Sequence, residues 1–172
     1  AILEIQIENF HKYGFDEIYL ATNYKSDYIK KFFGDGSQYG VKLQISKEDI
    51  PLGTAGPLML LRDELTEPFI VMNGDVLSLL DFSKFYTFSL GNKSELTVAI
   101  KKVITPYQFG NIYFKGDYVT KIEEKPDLET NILAGIYTMK PTIFSLFPEN
   151  EYFGIDQLIH KMLVLNKPFM KY

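Results

Sequence analysis

The sequence predicts an α/β protein with a mixed, mainly parallel sheet and helices on both of its faces. Helices and strands alternate through residues 1–93, an order typical of a sheet covered by helices. Residues 68–73 (PFIVMN) form a continuous apolar run, as expected of a strand buried on both faces. The composition, with 46% apolar and 23% charged residues, is that of an ordinary globular protein.

The first predicted element is a helix at residues 2–13, with Leu3, Ile7 and Phe10 on one face and a stop at Gly14. Six further elements continue the alternation. They are strands at 17–22, 41–46 and 68–73, and helices at 26–33, 54–65 and 82–90. The first half is therefore predicted as αβαβαβα.

After residue 93 the sequence is rich in β-forming residues, and Gly116-Asp117 is a hairpin turn signal between two predicted strands. The predicted strands are 96–103, 109–114, 118–122, 134–139 and 167–172, and the predicted helices are 141–147 and 155–165. No linker or repeat divides the chain. We expect one domain over residues 1–172, in which the second half extends the sheet and forms a lip over its edge.

Composition argues against several classes of function. The absence of cysteine disfavours a disulfide framework, a zinc ribbon and a cysteine nucleophile. No apolar run reaches the ~18–20 residues that cross a bilayer, and no signal peptide opens the chain. The net charge is −4, with interspersed lysines and acidic residues, whereas a nucleic-acid binder usually shows a basic patch. We therefore expect a cytoplasmic protein that binds neither nucleic acid nor membrane.

Asn73-Gly74-Asp75 directly follows the most apolar predicted strand. Ligands of open α/β sheets bind beyond the carboxyl ends of the strands, and Gly74 permits a sharp turn there. Asp75 can then point into the cleft as a hard oxygen ligand suited to Mg²⁺. The alternative is a turn aspartate that hydrogen-bonds its own backbone.

Residues 51–56 (PLGTAG) connect a predicted strand to a predicted helix. Backbone amides at the start of a helix can receive an anion or the edge of a base. No Gly-Lys-Ser/Thr follows, so the segment is not a P-loop. The alternative is a plain loop in which Thr54 caps the helix.

Residues 123–126 (EEKP) end a predicted strand. Lys125 can reach a phosphate, and Glu124 can accept hydrogen bonds from sugar hydroxyls. The alternative is a solvated charged cluster. The two histidines, His11 and His160, lie in predicted helices and are expected at the surface rather than in catalysis.

Taken together, six segments resemble the sugar-1-phosphate nucleotidyltransferases, a family that includes mannose-1-phosphate guanylyltransferases and glucose-1-phosphate thymidylyl- and uridylyltransferases. In chain order the segments are FGDGSQYGVKLQ (33–44), PLGTAG (51–56), PFIVMNGDV (68–76), FGNI (109–112), EEKP (123–126) and AGIYTMKP (134–141). Bacterial guanylyltransferase-like modules linked to surface-sugar synthesis look most similar. The resemblance implies a Rossmann-like fold of the nucleotide-diphospho-sugar transferase type.

The resemblance implies a role for each matching residue. Asp75 would bind the catalytic Mg²⁺, and Lys125 would hold the sugar phosphate. The residues implied in substrate binding are Gly53, Thr54, Gly56, Gly110, Glu124 and Gly135. The implied reaction joins a nucleoside triphosphate to a sugar-1-phosphate, giving a nucleotide-sugar, expected to be a GDP-sugar, and pyrophosphate.

The sequence departs from the family pattern in three places. The family's N-terminal glycine-rich signature is absent, and the chain opens on a helix where a doubly wound domain opens on a strand. Leu133 stands where many relatives carry Asn. Asp156 is the candidate for a second metal ligand, although Gly154 disturbs its register. We expect a domain that lacks its first strand and is truncated at both ends.

The absent signature and Leu133 favour an alternative, an inactive relative that senses nucleotide or sugar phosphate or serves in assembly. Asp75 and Lys125 favour the enzyme. A dinucleotide-binding oxidoreductase is less expected, because no G-x-G-x-x-G follows a strand. The base, the sugar and the formation of a homo-oligomer are left open by the sequence.

Overall fold

The computed structural model describes all residues from Ala1 to Tyr172 and contains four helices and eight strands. In chain order they are α1 (Ile2–Lys12), β1 (Glu17–Thr22), α2 (Ser26–Phe33), β2 (Lys42–Lys47), β3 (Phe69–Met72), α3 (Phe82–Leu90), β4 (Leu96–Pro106), β5 (Asn111–Lys115), β6 (Tyr118–Glu123), β7 (Asp127–Met139), α4 (Ile155–Val164) and β8 (Met170–Lys171). Three short 3₁₀ helices span Ser37–Tyr39, Gly56–Leu61 and Pro141–Leu146. No helix has the length and apolar character that a membrane crossing requires.

Most predicted elements are confirmed, but the predicted helix at 54–65 is wrong. The chain forms turns around Thr54 and then the 3₁₀ helix Gly56–Leu61. Pro57 lies in the first turn of this 3₁₀ helix, a place where a proline is tolerated. The predicted helix at 141–147 is likewise a 3₁₀ helix, and the predicted strand at 134–139 extends back to Asp127.

The main sheet has four strands in the order β3-β7-β4-β8. β7 pairs with β3 and with β4 in antiparallel fashion, and β8 pairs with β4 in parallel. The expectation of a mainly parallel sheet is therefore wrong, whereas the mixed sheet is confirmed. The reason is the connection from β4 to β7, which is the hairpin β5–β6 rather than the helical crossover that parallel neighbours need.

Helices cover both faces of this sheet, as predicted. On one face, Val98 and Tyr137 belong to a core that includes Leu158 and Met162 of α4. On the other face, Ala99 and Ile136 pack with Phe82 and Phe85 of α3. The α/β fold with layers of helix on either side of the sheet follows from this alternation along β4 and β7.

Strands β1 and β2 form a separate parallel ladder that is not hydrogen-bonded to the main sheet. Its core contains Ile7 of α1 and Phe33 of α2. Strand β3 pairs with β7 alone and its four residues are half-buried, which differs from the expected burial on both faces. The exposure follows from the position of β3 at the edge of its sheet.

Candidate functional site

The turn that follows β3 carries Asp75 at its tip. The amide of Val76 donates to the carbonyl oxygen of Asn73 at 3.2 Å, which closes a four-residue turn around Gly74 and Asp75. A Cβ on Gly74 would find no atom within 4 Å, and Asp75 is exposed. Asp75 takes part in none of the ion pairs of the chain. Its carboxylate is therefore open to a ligand.

Gly135 of β7 lies against this turn, so the structure brings two of the predicted site residues together. The amide of Asn73 donates to the carbonyl oxygen of Gly135 at 2.9 Å. Gly135 has a left-handed φ of +72°, and a Cβ there would lie 3.0 Å from Asn73 Nδ2 and 3.1 Å from Val76 Cγ2. Only glycine fits this close approach without strain.

A cavity of about 610 Å³ opens beside the turn, between the segment 76–80 and the strands β4 and β7. Val76, which follows Asp75, lines it, and so does Leu133. Lys101 and Lys102 also line its wall, and Lys102 forms an ion pair with Glu129 at 2.7 Å. The cavity adjoins the turn that carries Asp75, and the Leu133 side chain offers no hydrogen bond at its wall.

The loop 51–56 is held by the segment that leads into α4. The amides of Ala55 and Gly56 both donate to the carbonyl oxygen of Phe153 at 2.9 Å, and the Thr54 hydroxyl accepts from the amide of Ile155 at 2.9 Å. The amide of Leu52 donates to Glu48 Oε2 at 2.8 Å, so three amides of the loop are already occupied. Thr54 caps α4 rather than a helix of its own. The amides of Gly53 and Thr54 donate to no protein acceptor, so they are the two left for a ligand.

Both glycines of this loop are required by packing. Gly53 has a φ of +85°, and a Cβ there would lie 2.8 Å from the carbonyl oxygen of Phe153. A Cβ on Gly56 would lie 3.1 Å from the carbonyl oxygen of Glu151 and 3.0 Å from Leu52 Cβ. Protein contacts therefore explain why these positions carry glycine, and contact with a nucleotide stays a prediction.

The structure also brings Gly110 and Glu124 together at the foot of the β5–β6 hairpin. A Cβ on Gly110 would lie 3.0 Å from Glu124 Oε2. Lys125, the next residue, has a left-handed φ of +45°, which non-glycine residues rarely adopt and which is concentrated at functional sites. All three residues are exposed. They form a second polar cluster, and its role in substrate binding stays a prediction.

Glu123 differs from its neighbour Glu124 because it is engaged within the hairpin. It pairs with Lys121 and accepts from the Tyr113 hydroxyl at 2.7 Å. The hydrogen bonds from Lys121 and Tyr113 lower the pKa of Glu123 below its ordinary value. Glu123 is therefore committed to the hairpin, and Glu124 is the carboxylate that faces Gly110.

The structure does not place Asp156 with the Asp75 turn. Asp156 lies in the first turn of α4 and lines a concavity on that helix together with His160 and Lys161. Gly154, which was expected to disturb the register, is the N-cap of α4. A role for Asp156 as a metal ligand therefore finds no support from its position, because Val76 beside Asp75 lines a different cavity.

The residues at the Asp75 turn fit a cation that is shared with a substrate. No group of three or more His, Cys, Asp or Glu side chains that could hold a metal ion exists in the chain. Mg²⁺ is commonly held by one or two carboxylates, with waters and substrate phosphates completing its shell. One open carboxylate at the tip of a turn matches that mode of binding.

Gln6 of α1 is a residue of this site that the sequence prediction missed. Its side-chain Nε2 donates to the carbonyl oxygens of Asn73 at 2.9 Å and Val76 at 2.6 Å. The available signal was its position between Leu3 and Phe10, which puts a polar residue on the apolar face of a helix. A polar residue on such a face needs a buried partner.

The sequence profile of the nucleotidyl transferase family matches residues 1–163. The chain belongs to this family. The family resemblance carried by the six segments is thereby confirmed.

Two curated members of the family and one solved structure illustrate the similarity. The chain is 37% identical over 147 residues to the probable mannose-1-phosphate guanylyltransferase 1 of Oryza sativa subsp. japonica, covering 80% of this chain and 41% of the relative. It is 35% identical over 150 residues to the mannose-1-phosphate guanylyltransferase catalytic subunit beta of Dictyostelium discoideum, covering 83% and 42%. The crystal structure of HddC from Yersinia pseudotuberculosis complexed with GMP-PN superposes with a TM-score of 0.72 at 26% identity, covering 100% of this chain and 76% of HddC. The chain thus spans about two fifths of the length of these curated nucleotidyl transferases.

Proposed function

We propose that the protein forms a nucleotide-sugar, a GDP-sugar, and pyrophosphate from a nucleoside triphosphate and a sugar-1-phosphate. Guanine is favoured because the matching curated relatives are named mannose-1-phosphate guanylyltransferases and HddC was solved with GMP-PN. The observation that carries the proposal is the open Asp75 carboxylate on a turn braced by Gly135.

The reaction is an in-line displacement. An oxygen of the sugar phosphate attacks the α-phosphorus, a new P–O bond forms, and the bond to the oxygen bridging to the β-phosphate breaks as pyrophosphate leaves. The attacking phosphate is already ionised, so the site needs no strong general base, in keeping with the absence of a histidine at the Asp75 turn. The protein acts by positioning the reactants and neutralising their charge.

Each group of site residues has a task in this proposal. The Asp75 carboxylate holds Mg²⁺, which when bound supplies positive charge to the phosphates. The free amides of Gly53 and Thr54 receive the base. Gly110 and Glu124 hold the sugar, and the Lys125 ammonium holds its phosphate. The binding of both substrates at once gives the in-line geometry.

The experiment is a measurement of pyrophosphate release by the full-length protein from five nucleoside triphosphates and several sugar-1-phosphates with Mg²⁺. Asp75→Asn keeps the shape of the side chain and removes its charge, and we expect it to lower kcat about 100-fold or more. The matched control is Asp117→Asn, since Asp117 also follows a glycine in an exposed tight turn. We expect the control to keep the wild-type rate.

An inactive relative that senses these ligands is the competing function, favoured by Leu133 at the wall of the cavity. A folded full-length protein that releases no pyrophosphate with any pair of substrates would support this alternative. Binding of GTP by such a protein, measured by calorimetry, would then identify a sensing role.

A further inference from the structure

Gln6 is buried, and both N–H groups of its side-chain amide donate to the turn that carries Asp75. It is 5% exposed, on the face of α1 that also carries Ile7. Its Nε2 donates to the carbonyl oxygens of Asn73 and Val76, at 2.9 Å and 2.6 Å. Those carbonyls belong to the first and last residues of the turn. The amide therefore bridges the two ends of the turn, with Gly74 and Asp75 between them.

The orientation of this amide is determined by its partners. Both neighbouring atoms are carbonyl oxygens, which only accept, so the NH₂ group and not the amide oxygen must face them. Both hydrogens are then in use. No other side chain of the protein donates to a carbonyl of residues 73–76.

Asp75 depends on this bridge because it has no support of its own. It forms no ion pair, and a Cβ on the neighbouring Gly74 would meet no atom within 4 Å. The point from which the carboxylate extends is therefore set by the backbone of the turn. The turn is fixed to β7 through Gly135 on one side and to α1 through Gln6 on the other.

We propose that Gln6 is a positioning residue that holds the Asp75 carboxylate in place for a divalent cation. The role rests on the proposed function of Asp75. Groups that orient a metal ligand without touching the metal typically change metal affinity or activity by about 10- to 100-fold when removed. Gln6 acts in the same way through two backbone carbonyls.

Two substitutions separate the loss of the hydrogen bonds from the loss of packing. Gln6→Met keeps the length of the side chain and removes both donors. Gln6→Glu keeps the shape but sets an acceptor-only carboxylate against two carbonyl oxygens. The control is Ser89→Ala, which removes a buried hydroxyl that donates to the carbonyl oxygen of Tyr86, on α3 and away from the turn.

The test uses the full-length protein and two measurements. The first is the Mn²⁺ concentration that gives half-maximal pyrophosphate release at saturating GTP and mannose-1-phosphate. The second is hydrogen exchange at the amides of residues 73–78 in the protein without metal or substrate. We expect Gln6→Met and Gln6→Glu to raise the Mn²⁺ requirement about 10-fold or more and to speed exchange at the Val76 amide. Ser89→Ala should change neither quantity.

The outcomes distinguish the two proposals. If the wild-type protein is active and Asp75→Asn is not, an unchanged Mn²⁺ requirement and unchanged exchange in Gln6→Met would overturn the positioning role alone. A wild-type protein without turnover would remove both the proposed function and the metal role of Gln6. Faster exchange at Val76 with a raised Mn²⁺ requirement would establish the positioning role.

Discussion

The amide of Asn73 donates to the carbonyl oxygen of Gly135 at 2.9 Å, one step beyond the last pair of the β3–β7 ladder, Met72 with Ile136. The turn that carries Asp75 is therefore a continuation of the sheet and not a loose loop. The backbone hydrogen bonds of the turn fix the Cα position from which the Asp75 side chain extends.

Gly135→Ala should destabilise the protein and disturb the Asp75 turn. The left-handed φ costs a non-glycine residue about 1–2 kcal/mol, and the Cβ would also crowd Asn73 and Val76. Gly116→Ala is the control, since Gly116 has a φ of +59° but open space around it. Urea unfolding should show a larger loss of stability for Gly135→Ala than for Gly116→Ala. Equal losses would mean that Asn73 and Val76 move aside at no cost in stability.

Gly53→Ala should be more destabilising than Gly14→Ala. The two glycines have nearly the same φ, +85° and +83°, so the backbone strain is matched. Only at Gly53 would the Cβ meet a backbone atom, the carbonyl oxygen of Phe153 at 2.8 Å. We expect an additional loss of about 1–3 kcal/mol in urea unfolding from this overpacking. A difference near zero would show that the segment around Phe153 can move away.

Thr54→Ala should lower stability by about 1 kcal/mol, because the amide of Ile155 then loses its acceptor. Thr54→Ser keeps the hydroxyl and serves as the control. Since Thr54 also belongs to the loop proposed to receive the base, the KM for the nucleotide should rise in Thr54→Ala. A thermal unfolding midpoint that falls equally in both variants would instead point to the methyl group.

The stabilisation of α3 by Asp81 should depend on pH. Asp81 accepts from the amide of Lys84 at 3.0 Å, and this hydrogen bond lowers the pKa of its carboxyl. A lowered folded pKa means that the stabilisation is present above the unfolded pKa of about 4 and is lost as the pH falls through the folded value. Asp81→Ala should therefore lower the unfolding midpoint at pH 7, and the difference from wild type should shrink below pH 4. In Asp81→Asn, which caps without charge, this pH dependence of the cap should disappear.

Local patterns in the sequence were sufficient to predict α1, α2 and β1, because the apolar residues of each lie within its own segment and a glycine follows each of the two helices. Strand pairing was predicted less well, because the antiparallel partner of β3 is β7, far along the chain. The type of the helix at Gly56–Leu61 was missed for a similar reason, since the loop before it is shaped by Phe153.

The candidate site was also predicted only in part from the sequence. Gly135 and Gly110 were predicted from family resemblance, and Glu124 was predicted from the local pattern as well. The structure places Gly110 beside Glu124, and Gly135 against Asn73 and Val76 of the turn that carries Asp75. Asp156 was predicted as a metal ligand and lies on α4, where a helix was predicted, but the cavity that it lines depends on packing that the sequence pattern does not contain. Gln6 was missed because its partners are backbone carbonyls, which carry no sequence signal.

The hydrogen bonds between the loop 51–56 and the residues Phe153 and Ile155 have a consequence for folding during synthesis. The hydrogen bond from Ile155 to Thr54 joins residues 101 positions apart. At roughly 5–20 residues per second, a ribosome adds Ile155 about 5–20 s after Thr54. During that interval the nascent loop lacks the partner that gives it its shape, so this part of the fold is completed late in synthesis.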